Sequence, residues 1–382
     1  MNPSIAIIGA SARAAAQSAR RAGLSPWAAD LFADVDLRAC CPATRIDRYP
    51  HQFVSALAAA PPGPWMYVGG LENHPELVDQ MARQRPLLGV AGQSLRRVRD
   101  PFELAAVVRQ TGCRYPESRL APNDVPTDGT WLVKPRHGSG GIGVLPWHGS
   151  RQTLPDKPSY WQARIDGLPA AAVYVAAGGR ARLLGVTQQL IGPAWCGTGG
   201  FRYAGSLGPL TLENQVRQRL DGLGDCLSEA FELVGLVGVD LVLTPSDVWV
   251  VEVNPRYTAS VEVLERATAV SAIAHHLAAC CQGILPTPAS MPGSTPESRK
   301  WGKAIVFASH SATVPEWLVR YAMANPPRRS WPPAADVPHA GTQIAKYHPI
   351  MTVFAAGTTL AAVEDRLRRR VAHTQAVLNN AP

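Results

Sequence analysis

The sequence predicts an α/β fold, and three observations carry that expectation. The apolar run Ile5-Ala6-Ile7-Ile8 stops at Gly9 and is followed by an Ala/Arg-rich stretch from Ser11 to Ala22, the pattern of a buried strand, a tight turn and a helix. Further strand cues at Trp27–Asp30 and at Trp65–Val68, before Gly69-Gly70, predict an open parallel-sheet domain over residues 1–95. The chain has 382 residues, 46% of them hydrophobic and 17% charged, which suits two or three domains with substantial cores.

Beyond the first domain, Pro101–Gln110 has a helical pattern and Pro116–Gly129 reads as a Pro/Asp/Gly-rich linker. Strands are predicted at Trp131–Lys134, Tyr160–Ile165, Ala170–Ala177 and Arg182–Leu190. Helical periodicity runs from Glu213 to Leu236, strands return at Val239–Leu243 and Val248–Val253, and a helix is expected from Val261 to Cys281. Pro286–Glu297 reads as a linker, after which a strand at Ala304–Ala308 and an Arg-rich amphipathic helix at Leu360–Leu378 complete the pattern. The turn Gly9–Arg13 departs from G-x-G-x-x-G and is weak as a dinucleotide fingerprint.

Several function classes are disfavoured by composition. No uninterrupted apolar run approaches the ~18 residues of a membrane span, and Met1–Ser4 carries no basic leader, so a cytoplasmic protein is expected. The seven cysteines lack C-x-x-C or Cys/His ligand spacing and read as reduced, small apolar side chains. The formal charge is +8, but the 37 basic residues include only five lysines and are scattered. That distribution fits an anionic small-molecule ligand better than a nucleic acid.

Two segments carry chemistry. In Trp131–Gly143 an apolar strand delivers Lys134 into a loop containing Gly138, Ser139, Gly140, Gly141 and Gly143. Glycines let backbone N–H groups converge on an anion, and the ammonium adds a point charge, so the segment reads as a phosphate cradle. In the second, Gly238–Leu243 and Val248–Arg256 read as a hairpin turning at Thr244–Asp247. Glu252 and Asn254 are two apart and share a face, which Asp240 can reach from the neighbouring strand. Two carboxylates and an amide oxygen are hard ligands suited to Mg2+ bound with phosphates. Arg202 and Tyr203 lie in a Gly-rich connection that could equally line a substrate pocket or form a surface turn.

Lys134 with its glycine loop, followed by Asp240…Glu252-x-Asn254-Pro-Arg256, resembles the ATP-grasp superfamily of carboxylate ligases. More narrowly, Val98–Phe102, Gly200–Pro209 and Ala335–Thr342 resemble the group related to biotin carboxylase and pyrrolysine-pathway ligases, which includes tyramine–glutamate ligase. The resemblance implies a two-lobed ATP-grasp domain over residues 96–285, with a lid lobe at about 128–190, and a small C-terminal α+β extension at 300–382. It implies ATP and Mg2+ (or Mn2+) as cofactors, with Lys134 on the phosphates under a lid loop of Gly138, Ser139, Gly140 and Gly141. Gln162, Ala163, Arg164 and Ile165 would form a hinge beside adenine, and Asp240, Glu252 and Asn254 would hold the metal. Arg256 would stabilise developing phosphate charge or the carboxylate being activated.

The implied partners are small-molecule carboxylate and amine substrates, plausibly glutamate with tyramine or tyrosine in methanofuran-type cofactor synthesis, with a homodimer left open and neither nucleic acid nor membrane involved. Arg202 would offer a second cation to the carboxylate, and Phe201, Tyr203, Trp195 and Tyr257 a wall for an aromatic amine. Two departures qualify the pattern. Where many members have a phosphate-binding Asp-Lys pair, Asp100 is followed by Pro101, leaving Arg97 or Arg99 to supply that charge. Where carboxylases of this type place a glutamate four residues after the arginine, this chain has Ser260, which joins Arg202, Tyr203 and Tyr257 as a candidate substrate residue. The missing lysine leaves a non-catalytic nucleotide-binding protein as one alternative; the other, a carboxylase acting through carboxyphosphate, is weakened by Ser260.

Overall fold

The computed structural model describes residues 3–149, 158–287, 299–324 and 331–379. The expected N-terminal sheet is present: Ala43–Arg45, Ser25–Asp30, Ser4–Ile8 and Trp65–Tyr67 pair in that spatial order, all parallel. Its strands are short, and Ile5, Ile7 and Ile8 are buried in them because helices cover both faces of such a sheet. A larger sheet of eight strands follows, with its strands in the order Val248–Asn254, Gly235–Leu243, Leu168–Ala177, Arg180–Ile191, Tyr203–Gly208, Lys300–Phe307, Pro349–Gly357 and Ala334–Ala335. Every neighbouring pair in it is antiparallel. A separate four-stranded sheet pairs Ser118–Arg119, Ser159–Ala163, Trp131–Pro135 and Leu145–Pro146 in that order. It has its own small core, in which Trp147 and Trp161 meet edge-on at 5.6 Å.

The span expected as a lid, about 128–190, divides between two sheets. The four-stranded sheet starts at Ser118 and ends at Ala163, while Leu168–Ala177 and Arg180–Ile191 pair into the large sheet. Sequence pattern cannot tell the two apart, because a strand looks the same whichever sheet accepts its edge. The C-terminal segment likewise extends that large sheet, since Lys300–Phe307 pairs with Tyr203–Gly208 and Pro349–Gly357 pairs beyond it. The position 95/96, expected as a boundary, lies inside helix Gly92–Arg99, whose Leu95 and Val98 are buried in a core shared with the large sheet.

Two long helices are shorter than expected. The helix Asn214–Ala230 ends before Phe231, and the apolar residues Leu236–Val239 pair as strand against Val175–Ala172. The expected helix Val261–Cys281 is two helices, Ala259–Thr268 and Ala272–Gln282. Ala269 takes a left-handed φ of 57° and closes the first, and the Ser271 hydroxyl accepts the Ala274 N–H to cap the second. The Pro286–Glu297 linker falls mostly outside the described residues.

Three parts of the chain meet at one buried charge cluster. Arg13, on helix Arg13–Arg21, donates to Glu262 at 2.5 and 3.1 Å and to Asp336 at 2.9 and 3.2 Å. Lys303 Nζ reaches the same Glu262 at 3.3 Å. Burial pushes the Glu262 carboxyl up, but Arg13, Lys303 and Arg266 outweigh that and hold it well below its usual range. Truncating one member leaves uncompensated buried charge. Arg13→Ala is therefore expected to cost about 3–5 kcal/mol of stability, read from the urea midpoint; an unshifted midpoint contradicts it.

Candidate active site

The hairpin turns where expected: Thr244 N–H donates to Asp247 O at 3.0 Å, and Asp240 lies directly across from Glu252. Cross-strand partners share a face, and Asn254, two residues on, joins them. Asp240 accepts from Gln189 Nε2 at 2.9 Å and from Asn254 Nδ2 at 3.1 Å. Burial, then the neighbouring Glu252 charge, raises the Asp240 carboxyl to about 6. Burial also pushes Glu252 up, but the charges of Arg99 and Lys134 and a hydrogen bond from Arg99 more than offset it, so its carboxyl is lowered.

Across a cavity of about 660 Å³ stands the four-stranded sheet. That volume lies within the usual range for a small-molecule pocket. Lys134, nearly buried on strand Trp131–Pro135, donates from Nζ to Gln162 Oε1 at 2.9 Å and sits 5.5 Å from the Tyr160 ring centroid. Gln162 in turn donates to Ser118 Oγ at 3.2 Å. Gln162, Ala163, Arg164 and Ile165 line the cavity, where the chain passes from strand Ser159–Ala163 to strand Leu168–Ala177 of the large sheet. Ser139, Gly140 and Gly141 line the cavity, and Gly138 begins that loop. Gly141 has a φ of +74°, and a Cβ there would fall 1.8 Å from Phe201 O, so glycine is required where the loop presses on the next segment. Tyr203 N–H donates to Gly140 O at 3.0 Å and holds the same contact.

Arg256 lines the cavity beneath Gly69, 3.6 Å from the position a Cβ would take there. Its Nε and Nη2 pair with Glu72 Oε1 at 2.8 and 2.6 Å, and Nη2 donates to Asn254 Oδ1 at 3.1 Å. Of the two arginines that could replace the absent lysine, Arg99 is the one in the site. It contacts Glu252, Asn254 Oδ1 at 3.4 Å and Asn73 Oδ1 at 3.0 Å. Arg97 pairs with Glu103 at 2.9 Å, away from the cavity.

The substrate residues divide. Tyr203 and Ser260 line the cavity, joined through Ser206: the Tyr203 hydroxyl is 2.8 Å from Ser206 Oγ, which is 3.2 Å from Ser260 Oγ. Phe201 also lines it. Arg202 instead donates to Tyr347 O at 2.5 Å and lies over Phe307, because a C-terminal turn offers it an acceptor and strand Lys300–Phe307 an aromatic face. Tyr257 is buried in the core with its hydroxyl 3.4 Å from Glu265, and Trp195 packs under Arg368; neither forms the expected wall. Glu72 and Asn73 were missed. The available signal was their position just after the Trp65–Tyr67 strand, since ligands bind beyond the carboxyl ends of parallel strands.

The donor set suits Mg2+. Two carboxylates and an amide lie on one face, with Asp240 directly across from Glu252, and hard oxygen donors so placed suit a divalent cation. Among the described residues, no group of three or more His, Cys, Asp or Glu could hold a metal, so phosphate oxygens and water would complete a shell on this set. Among those residues, too, no helix is long and apolar enough to cross a membrane.

No curated protein matches the chain in sequence. It is similar in structure to the biotin carboxylase domain of a 2-oxoglutarate carboxylase from Hydrogenobacter thermophilus, described as a dimer with MgADP, ADP and bicarbonate. That likeness has a TM-score of 0.73 and 11% identity, over 97% of this chain and 89% of the other. A carboxyaminoimidazole ribonucleotide synthase from Aspergillus clavatus, complexed with ATP, gives a TM-score of 0.71 at 14% identity, over 99% of each chain. An L-amino acid ligase from Bacillus licheniformis gives 0.67 at 15% identity, over 97% of each. ATP and Mg2+ are the typical ligands of this fold, and residues 98–260 match the family model of the ATP-grasp domain. Residues 98–260 of this chain form an ATP-grasp domain.

Proposed function

We propose that this protein is an ATP- and Mg2+-dependent, ADP-forming ligase that joins a carboxylate to an amine. The observation that carries the reading is the placement of Lys134 and the glycine loop across one cavity from Asp240, Glu252, Asn254 and Arg256. A substrate carboxylate oxygen would attack the γ-phosphorus of ATP, forming an acyl phosphate as the bond to ADP breaks. The amine would then attack the carbonyl carbon, lose a proton and release phosphate. Lys134 and Arg256 supply fixed positive charge, and the loop orients the phosphates. Bound Mg2+, held by Asp240, Glu252 and Asn254, would neutralise phosphate charge.

The finer reading is an amino acid such as glutamate joined to tyramine or tyrosine, supported by the carboxylate-binding character of Arg256 and by Phe201 in the cavity. A homodimer and a cytoplasmic location belong to the same proposal. Ser260 does not favour carboxylation, since its hydroxyl is engaged by Thr187 at 2.9 Å and offers no carboxylate to deprotonate bicarbonate. The test is ADP release from Mg2+-ATP with paired amino acids and amines, with mass spectrometry for the condensation product. Lysine cannot reproduce bidentate guanidinium contacts, so Arg256→Lys is expected to slow ligation about a hundredfold while ATP affinity changes less than about twofold. A wild-type rate in that variant, or no ADP release stimulated by any amino acid, overturns the reading.

A further inference from the structure

The turn Leu71–Asn73 belongs to the N-terminal domain, yet its side chains reach into the ATP-grasp domain. Leu71 and Glu72 are buried and anchor it, and Glu72 pairs with Arg256. Asn73 uses both ends of its amide. Nδ2 donates to Gly138 O at 3.2 Å and to Ser139 Oγ at 3.0 Å, while Oδ1 accepts from Arg99 Nη2 at 3.0 Å. Both acceptors lie on one side and a guanidinium on the other, so the amide has one favourable orientation. Arg99 itself donates to Gly138 O at 3.4 Å and contacts Glu252. One side chain from a separate domain therefore ties the start of the glycine loop to the partly buried Arg99 and, through it, to the hairpin carboxylate.

We propose that Asn73 is a positioning residue that seats the Gly138–Gly143 loop and Arg99 for nucleotide binding, an inference resting on the nucleotide site of the proposed function. Asn73 need not touch the phosphates. It restricts the loop before ligand arrives, so that less conformational entropy is lost on binding. The far side of the loop is held by the Tyr203 N–H, a backbone contact that substitution at residue 73 leaves alone.

The experiment uses the full chain, wild type, Asn73→Ala and Asn73→Asp, with the non-hydrolysable analogue Mg2+-AMPPNP as probe. Binding is measured by calorimetry, amide hydrogen exchange over residues 138–143 with and without the analogue, and thermal stability alongside. Asn73→Asp preserves shape and the acceptor for Arg99 but removes both donors to the loop. Both variants are expected to weaken analogue binding by about five- to tenfold, the scale of one or two net hydrogen bonds. Exchange in the ligand-free loop should accelerate in both, with the rest of the chain unchanged and the melting temperature close to wild type. Unchanged binding and loop exchange would overturn the proposal, as would faster exchange throughout the chain with a matching fall in melting temperature. Neither readout needs turnover. A wild type that binds the analogue but makes no amide defeats the ligase reading, while the expected Asn73 changes in that same protein still support this one.

Discussion

Mg2+-dependent ADP release is expected to fall by about a thousandfold when Glu252 is replaced by Gln, the scale seen when a preorganised charge contact is removed from a transition state. The change is nearly isosteric and retains an oxygen for the Arg99 hydrogen bond, so the hairpin should persist. What disappears is one of two carboxylate charges on the face shared with Asp240 and Asn254. A divalent cation bound there loses a negatively charged ligand, and phosphate charge is neutralised less effectively as the transfer proceeds. Circular dichroism and the melting curve should match wild type. A variant that folds and turns over normally would remove the hairpin from the metal site.

The second large effect is expected at the opposite wall. Lys134→Ala should lower kcat/KM for ATP by about 10²–10³-fold, with both a higher KM and a lower kcat. Lys134 is nearly buried, so its ammonium acts where water screens little, and its bond to Gln162 holds it at one place on the wall. The contribution should appear in kcat as well as KM because negative charge shifts towards the leaving phosphate during transfer. Initial-rate kinetics at varied ATP checks this. A change confined to KM would mean that Lys134 binds the ground state and transition state equally.

The candidate site was legible wherever its residues lay in short contiguous segments. The alternation of Val248–Asn254 places Glu252 and Asn254 on one face, and a tight turn brings Asp240 across. Lys134 and Gly138–Gly143 likewise lie within one stretch, and the structure brings both segments to the same cavity. Less was legible where local pattern permits two outcomes. Helical periodicity ran through Ala269, but its left-handed backbone ends one helix and lets Ser271 begin another. Arg202 and Tyr203 are adjacent, yet only Tyr203 lines the cavity, because the carbonyl of Tyr347 draws the arginine away.

Residue type and spacing by themselves determined the parallel N-terminal sheet, the glycine loop after Lys134 and the hairpin that carries Asp240, Glu252 and Asn254 on one face, since backbone sterics, side-chain alternation and glycine freedom act over a few residues. Only the tertiary structure decided that Arg99, rather than Arg97, enters the site and that Glu72 and Asn73 cross from the first domain to hold Arg256 and the loop. Those contacts join residues 65 to 184 positions apart. Their formation depends on how the domains dock and on which buried charges must find partners there, a condition that arises only once water has been excluded.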